Sequence, residues 1–319
     1  MAEVLFVAGP AIDRYGPRAV AVACAAFAVA ATLPGLATSL PGLILVLVTA
    51  GAASGALDVG INANAARIEV ETGRRLMPLA HGLYSVGILV GAVGAGIARS
   101  QGVGRETILL AVALAVGGAA VLLRFDAVGV RPLPTEGRPA RRFRLSHALL
   151  MIGLVGAAAF VVEGGIESWS ALFLERQLHA EPAVSGLGPG VFGASMAAGR
   201  FYGQASRLGD RTLLAGGAAL AAVGCTIAAT APNAPVALIG FALAGAGISL
   251  NAPIVFGAAG RVSASSVASV TTLGYVGLMI GPPLVGGTAQ ALSLRASFLV
   301  LAAVAAAVAA AATRLRLTR

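Results

Sequence analysis

Residues 9–18 read GPAIDRYGPR and residues 202–211 read YGQASRLGDR, and each stretch stands directly before a long apolar run. An offset of 193 positions aligns the two stretches at one glycine and two arginines: Gly16 with Gly209, Arg14 with Arg207, and Arg18 with Arg211. The same offset carries Asp58 onto Asn251, and both of these polar residues stand deep inside apolar segments. Matching turns and matching polar positions predict a duplicated helical bundle.

The composition of the 319-residue chain places it in a membrane. Hydrophobic residues make up 58% of the sequence, charged residues make up 11%, and the mean hydropathy is +0.90. A soluble domain carries roughly 25% charged residues to cover its surface. Too few polar groups remain here to face water on every side, so we predict an integral membrane protein.

Ten apolar runs are long enough to cross the roughly 30 Å of hydrocarbon in a bilayer as helices. They are rich in alanine, glycine and leucine and lack the alternation of membrane strands, which predicts an all-α fold. The predicted spans lie near 18–36, 42–66, 78–98, 106–124, 147–172, 185–206, 212–230, 236–259, 267–292 and 296–313.

The basic residues predict the orientation of these spans. All 22 are arginines, and 18 of them lie in one set of connections while four lie in the other: Arg99, Arg105, Arg176 and Arg295. The richer side is expected to be cytoplasmic, which puts both chain ends inside and makes this a multi-pass protein of the inner (plasma) membrane. A nucleic-acid partner is not expected, because the arginines do not cluster on a soluble face among aromatic residues.

One long polar connection divides the chain. Residues 125–146 contain prolines, glycines and five arginines. This composition is typical of a cytoplasmic linker lying on anionic lipid head groups. We therefore expect an N-terminal bundle at 1–124, the linker at 125–146 and a C-terminal bundle at 147–319.

Four segments carry a resemblance to a known family. Residues 9–18 match the loop pattern G-x-x-x-D-R-x-G-x-R. The other segments are GALDVGINANAARIEVETGRRLMPLAHGLYSVGILVGA (55–92), EGGIESWSALFL (163–174) and LGYVGLMIGPPLVGG (273–287). In this order they resemble the major facilitator superfamily, in particular a fucose-permease-like bacterial branch.

The resemblance implies a fold of twelve helices in two pseudo-symmetric bundles. Ten full spans are visible here, so the first helix and most of the second are expected to be missing from an N-terminally truncated chain. The resemblance also implies a cytoplasmic gate in which loop charges form an ion-pair latch. His81 stands near the start of the predicted span 78–98, close to the cytoplasmic surface, and is expected to be a gate residue or an interfacial histidine rather than a cavity ligand. The residues of this gate are Gly9, Asp13, Arg14, Gly16, Arg18, His81, Arg207 and Arg211. Ser206 stands where the first loop has Asp13, so the two loops are not equivalent.

Acidic groups at bilayer depth are costly and indicate function. Asp58 and Asn62 lie one turn apart on a face of the predicted span 42–66, where they either bind a proton or solute or brace two helices. Glu163 and Glu167 also share a face, and two neighbouring carboxyl groups in a low dielectric resist ionising together, which suits proton coupling. Trp169 beside them is either an interfacial anchor or a surface on which a sugar stacks.

Prolines mark two further helices. Asn251 is followed by Pro253, which removes a backbone hydrogen bond and is expected to kink the helix, either as part of a binding site or as a packing kink. Gly281, Pro282 and Pro283 predict a segment that bends.

These features together predict a secondary active transporter for a small polar solute, such as a sugar, that works by alternating access and proton symport. The alternatives are a non-transporting membrane remnant or scaffold, and efflux of small molecules by proton antiport. An enzyme is not expected, since no catalytic residues, metal ligands or cofactor motifs are present. The expected partners are the solute, protons and the lipid bilayer, with the chain acting as a monomer.

Overall fold

A computed structural model describes residues 17–72, 77–126, 147–260 and 264–315. Within these ranges all regular secondary structure is helical. The α-helices are α1 (Pro17–Ala30), α2 (Leu40–Thr72), α3 (Met77–Ser100), α4 (Arg105–Asp126), α5 (His147–Leu178), α6 (Pro182–Ser185), α7 (Leu187–Ala205), α8 (Asp210–Thr230), α9 (Ala234–Ile248), α10 (Asn251–Gly260), α11 (Ala264–Ala291) and α12 (Leu294–Ala312). A 3₁₀ helix, Leu33–Leu36, follows α1.

Eight helical segments of the described residues are long and apolar enough to cross a membrane. They include eight of the ten predicted spans and confirm the all-α membrane fold. The other two predicted spans, 78–98 and 185–206, form α3 and α7. Of these two, α7 carries Arg200 and Gln204, which interrupt its apolar run.

The chain divides into two compact units, and α3 contributes residues to both. Unit one contains α1, the 3₁₀ helix, α2, the part of α3 up to Leu83, and α4. Unit two contains Tyr84–Ser100 of α3 and all helices from α5 to α12. The sequence-based boundaries at residues 124 and 147 stay a prediction.

In unit one, α1 packs against both α2 and α4. Its buried face is made of small residues, among them Val20, Cys24 and Ala28. The Cys24 thiol lies 3.4 Å from the Val116 carbonyl oxygen of α4. Small side chains let the helix backbones approach closely, which is how helices associate where the surroundings are as apolar as the protein.

In unit two, α5 is the central helix and packs against α11, α12, α7 and α9. Three fully buried phenylalanines join α5, α9 and α12. The ring of Phe173 lies 4.6 Å from that of Phe298 and 6.1 Å from that of Phe241, measured between centroids. Such aromatic contacts add to the packing energy beyond the area they bury. This core fixes the C-terminal half of α5, and the candidate site lies around the middle of the same helix.

Candidate functional site

The helix that corresponds to residues 236–259 is broken near its middle. It ends as α9 at Ile248 and resumes as α10 at Asn251. Pro253 has no backbone N–H to donate to the carbonyl four residues earlier, that of Ser249, so the hydrogen-bond ladder opens there. At the corresponding position of unit one, 193 residues earlier, stands Gly60, and α2 runs without a break. The proline therefore accounts for the difference between the two repeats.

Arg200 of α7 donates from Nε to the Ser249 carbonyl oxygen that Pro253 leaves free, at 3.4 Å. Its guanidinium also contacts the Met196 sulfur at 3.0 Å. The side chain is half-buried, and neither of the ion pairs found among the described residues involves it. Sequence reasoning counted Arg200 only as a residue of the cytoplasmic side and missed this contact. The position of Pro253 four residues after Ser249 was the available signal.

Asn251 lies directly after the break and is 2% exposed. Its Nδ2 atom donates to the Gly156 carbonyl oxygen of α5 at 3.3 Å. Within the described residues its Oδ1 atom has no hydrogen-bond partner. An unsatisfied buried acceptor costs free energy, so such groups often mark a place where a ligand or water binds. The structure therefore places Asn251 at the junction of the broken helix and α5.

Glu163 and Glu167 extend the same face of α5. Their spacing from Gly156 and Phe160 repeats every three or four residues, so all four positions share one side of the helix. The Phe160 ring stacks on Phe256 of α10 at 6.0 Å between centroids. Both glutamates are half-buried, and the charged groups that act electrostatically on Glu163 are Arg200 and Glu167. Unit two thus combines two acids, one guanidinium and one amide around a broken helix.

Trp169 lies between α5 and α11. Its indole Nε1 donates to the Pro282 carbonyl oxygen at 3.0 Å, and a Cβ added at Gly286 would lie 2.9 Å from the indole ring. The ring is half-buried. In this structure Trp169 joins two helices, so its polar edge is already used by the protein.

The glycine–proline segment of α11 faces α5. Pro282 and Pro283 stand inside a continuous helix, and their missing N–H groups free the carbonyls of Leu278 and Met279. The Leu278 oxygen points at Gly164, where an added Cβ would lie 2.5 Å from it. Gly281 is equally close to α5, because a Cβ added there would lie 2.5 Å from the Val161 carbonyl oxygen. That this segment bends during function stays a prediction.

In unit one, Asp58 and Asn62 interact within α2. The Asn62 amide donates to the Asp58 carboxylate at 3.0 Å and to the Asp58 carbonyl at 2.9 Å. Asp58 is exposed and Asn62 is half-buried. This contact lies inside one helix, so the pair is held in a fixed arrangement on one face of α2.

Four of the eight residues of the predicted cytoplasmic gate lie outside the described residues. Gly9, Asp13, Arg14 and Gly16 are outside them, as is the linker from residue 127 onward. Arg18, Arg207 and Arg211 are exposed near helix starts or in a turn, and His81 lies in α3. The latch formed by these residues stays a prediction. Within the described ranges no group of three histidine, cysteine, aspartate or glutamate residues could hold a metal ion.

The comparison with protein families decides what kind of protein this is. Residues 4–272 match the family model described as Major Facilitator Superfamily. The chain belongs to the major facilitator superfamily. The resemblance carried by the four sequence segments is therefore confirmed, and the chain is a multi-pass membrane transport protein rather than an enzyme.

Two curated relatives of this superfamily member are each 34% identical to it over 265 residues. One is an uncharacterised MFS-type transporter of Yersinia pestis, and the match covers 80% of this chain and 68% of that protein. The other is the membrane protein MosC of Rhizobium meliloti, with 81% of this chain and 64% of that protein covered. A match over about two thirds of their length covers most, but not all, of these relatives.

Solved structures of the superfamily share the fold. A variant of the Escherichia coli fucose:proton symporter FucP superposes with a TM-score of 0.63 at 18% identity, covering 99% of this chain and 88% of that one. A bacterial homologue of the human lysosomal transporter Spinster, in an inward-facing and occupied conformation, gives 0.61 at 17% identity, with 93% and 82% covered. At this level of identity the likeness shows the fold alone.

Proposed function

We propose that this superfamily member is a secondary active transporter that moves a small polar solute across the bacterial inner membrane by alternating access. The observation that carries the proposal is the broken helix α9–α10 beside the acidic face of α5. Helices broken at membrane depth leave backbone carbonyls that hold substrates or ions in many transporters. Here the break is combined with the unsatisfied Oδ1 atom of Asn251.

The proposed driving force is proton symport. Glu163 and Glu167 are carboxyl groups in an apolar span, where an ionisable residue is retained at a cost and generally serves a function. Asp58, at the equivalent position of unit one, is a second proposed proton acceptor. The name of the fucose:proton symporter supports both a sugar as the solute and a proton as the coupling ion.

The remaining proposals concern the setting of the transporter. Both chain ends are proposed to be cytoplasmic, from the distribution of arginines, and the active form is proposed to be a monomer. The proposed bundles are 1–124 and 147–319, joined by the linker 125–146. Asp13, Arg14 and Arg18 are proposed to form the cytoplasmic latch with the matching loop that holds Arg207 and Arg211.

The test is transport by the purified chain in proteoliposomes with radiolabelled monosaccharides. At one proton per solute, a pH difference of one unit is expected to drive about tenfold accumulation, because one unit corresponds to about 1.4 kcal/mol. Glu163→Gln is expected to abolish this accumulation and to keep solute exchange across the membrane, because a permanently neutral residue still allows the loaded protein to change conformation. The matched control is Glu181→Gln, an exposed glutamate at the start of α6.

The outcomes distinguish the candidate functions. Accumulation by Glu163→Gln and Glu167→Gln at the parent level would contradict the assignment of the coupling residues. If Asp58→Asn alone loses accumulation, coupling belongs to unit one. If the parent chain moves no solute in either direction, the proposal fails and the remnant or scaffold alternative is favoured.

A further inference from the structure

The C-terminal ends of α3 and α5 are joined by an ion pair. The two terminal nitrogens of Arg99 donate to the two carboxylate oxygens of Glu175, at 3.0 and 2.9 Å. Ser185, at the end of α6, donates to the same carboxylate at 3.4 Å and to the Pro182 carbonyl at 2.9 Å. A bidentate contact of this kind fixes the geometry of both partners. We call Arg99, Glu175 and Ser185 the clamp.

Next to the clamp, two glycines bring the backbone of α3 into contact with the backbone of α6 and of the residue that follows it. A Cβ added at Gly96 of α3 would lie 2.5 Å from the Pro182 carbonyl oxygen and 3.3 Å from the Gly186 Cα atom. A Cβ added at Gly186 would collide with the Ala92 carbonyl oxygen. Side chains larger than hydrogen would therefore separate these elements. The clamp therefore lies at the end of a helix crossing in which backbone atoms are already in contact.

Only one face of α3 makes this contact. Ala92, Gly96 and Arg99 are spaced by four and three residues, so they share a face of the helix. On the opposite faces, a Cβ added at Gly91 or Gly94 would meet nothing within 4 Å among the described residues. The tight crossing is therefore a specific feature of the clamp side of α3.

The exposure of the clamp indicates that it can open. The Arg99 and Glu175 side chains are 45% and 29% exposed. An ion pair in such partly hydrated surroundings stabilises a contact only weakly, because water screens both charges in the closed form and solvates them in the open form. Arg295 differs from Arg99 because its partners are backbone carbonyls. It donates to those of Ala229 and Ala231 and so caps the C-terminal end of α8.

We propose that Arg99 and Glu175 are gating residues that close one end of the solute path and separate once in each transport cycle. The proposal rests on the proposed transport function, and the structure then represents a state in which this gate is shut. Arg99 and Arg176 belong to the arginine-poor side, so the clamp is at the end of the helices that the sequence predicts to face outward. The gate opens when the C-terminal end of α3 moves away from α5 and α6.

The experiment measures opening without requiring transport. Ser185 is 1% exposed, so Ser185→Cys gives a nearly isosteric probe that a water-soluble maleimide reaches when the crossing opens. The native cysteines, Cys24 and Cys225, are buried and free. In detergent, at a fixed maleimide concentration, we expect Arg99→Ala and Glu175→Gln in this background to be labelled roughly three- to fivefold faster than the background alone, the upper part of the range for a partly exposed pair. The exchanged pair Arg99→Glu with Glu175→Arg is expected to restore slow labelling.

The matched control is Arg105→Ala. Arg105 follows Arg99 by six positions in the sequence and pairs with its own neighbour Glu106 at 2.8 Å, so its loss removes one arginine charge without releasing the contact between α3 and α5. Unchanged labelling in both Arg99→Ala and Glu175→Gln, or faster labelling that the exchanged pair does not reverse, would overturn the gate. Faster labelling in a chain that moves no solute would keep the clamp as an opening contact and would refute only the transport function.

Discussion

Replacing Gly277 by alanine is expected to lower the thermal stability of the protein by roughly 5 °C or more. Gly277 of α11 crosses α5 so closely that an added Cβ would collide with the Ala157 carbonyl oxygen. The colliding atom belongs to the backbone of a helix and cannot rotate away. Overpacking of this kind costs about 1–3 kcal/mol, and each kcal/mol shifts Tm by roughly 2–4 °C in a chain of a few hundred residues.

The matched control for this substitution is Gly287→Ala. Gly287 stands on the same helix, and an added Cβ there meets nothing within 4 Å among the described residues. Because alanine favours a helix over glycine by about 1 kcal/mol, this variant is expected to be as stable as the parent or more so. The reactivity of the fully buried Cys225 thiol with a fluorescent maleimide on heating measures both variants. Equal Tm values for Gly277→Ala and Gly287→Ala would show that α5 and α11 do not cross as the structure has them.

The helical segments could be predicted from the sequence because each depends on local properties. An apolar run of about 20 residues between polar breaks has the length and composition of a helix that crosses a bilayer. The predicted span at 212–230 is α8, Asp210–Thr230, and that at 296–313 is α12, Leu294–Ala312. The break after α9 was also predictable, since Pro253 removes a hydrogen bond whatever surrounds it.

The contacts between helices could not be predicted in the same way. Arg99 and Glu175 are 76 positions apart, and no local rule brings their side chains together. Gly94 and Gly96 look equivalent in the sequence, yet one faces open space and the other touches a neighbouring backbone. From its position near a helix end, Arg200 was assigned to the cytoplasmic side. Its partner in the structure is the Ser249 carbonyl, which Pro253, 53 residues after Arg200, leaves free. Each of these facts depends on which helix faces are in contact.

Gly96→Ala is expected to hold the clamp open, and its effect should exceed that of removing the ion pair. A Cβ at this position would lie 2.5 Å from the Pro182 carbonyl oxygen, so α3 must move away from α6, and the Arg99 side chain can then no longer reach Glu175. In the Ser185→Cys background we expect maleimide labelling to rise by more than about tenfold, since overpacking of 1–3 kcal/mol corresponds to a factor of roughly 5–150. Solute accumulation should be lost, because a gate that cannot shut lets the solute leak back.

Gly94→Ala on the same helix is the comparison that makes this result interpretable. It adds the same methyl group and the same gain in helix propensity to α3, at a position where the described residues leave at least 4 Å of free space. Its labelling rate and its accumulation should match those of the parent background. If the two alanine variants behave alike, the backbone crossing at Gly96 does not control the gate. If Gly96→Ala labels slowly and keeps its accumulation, the end of α3 closes by some contact other than the one between Gly96 and Gly186, and the clamp loses its role.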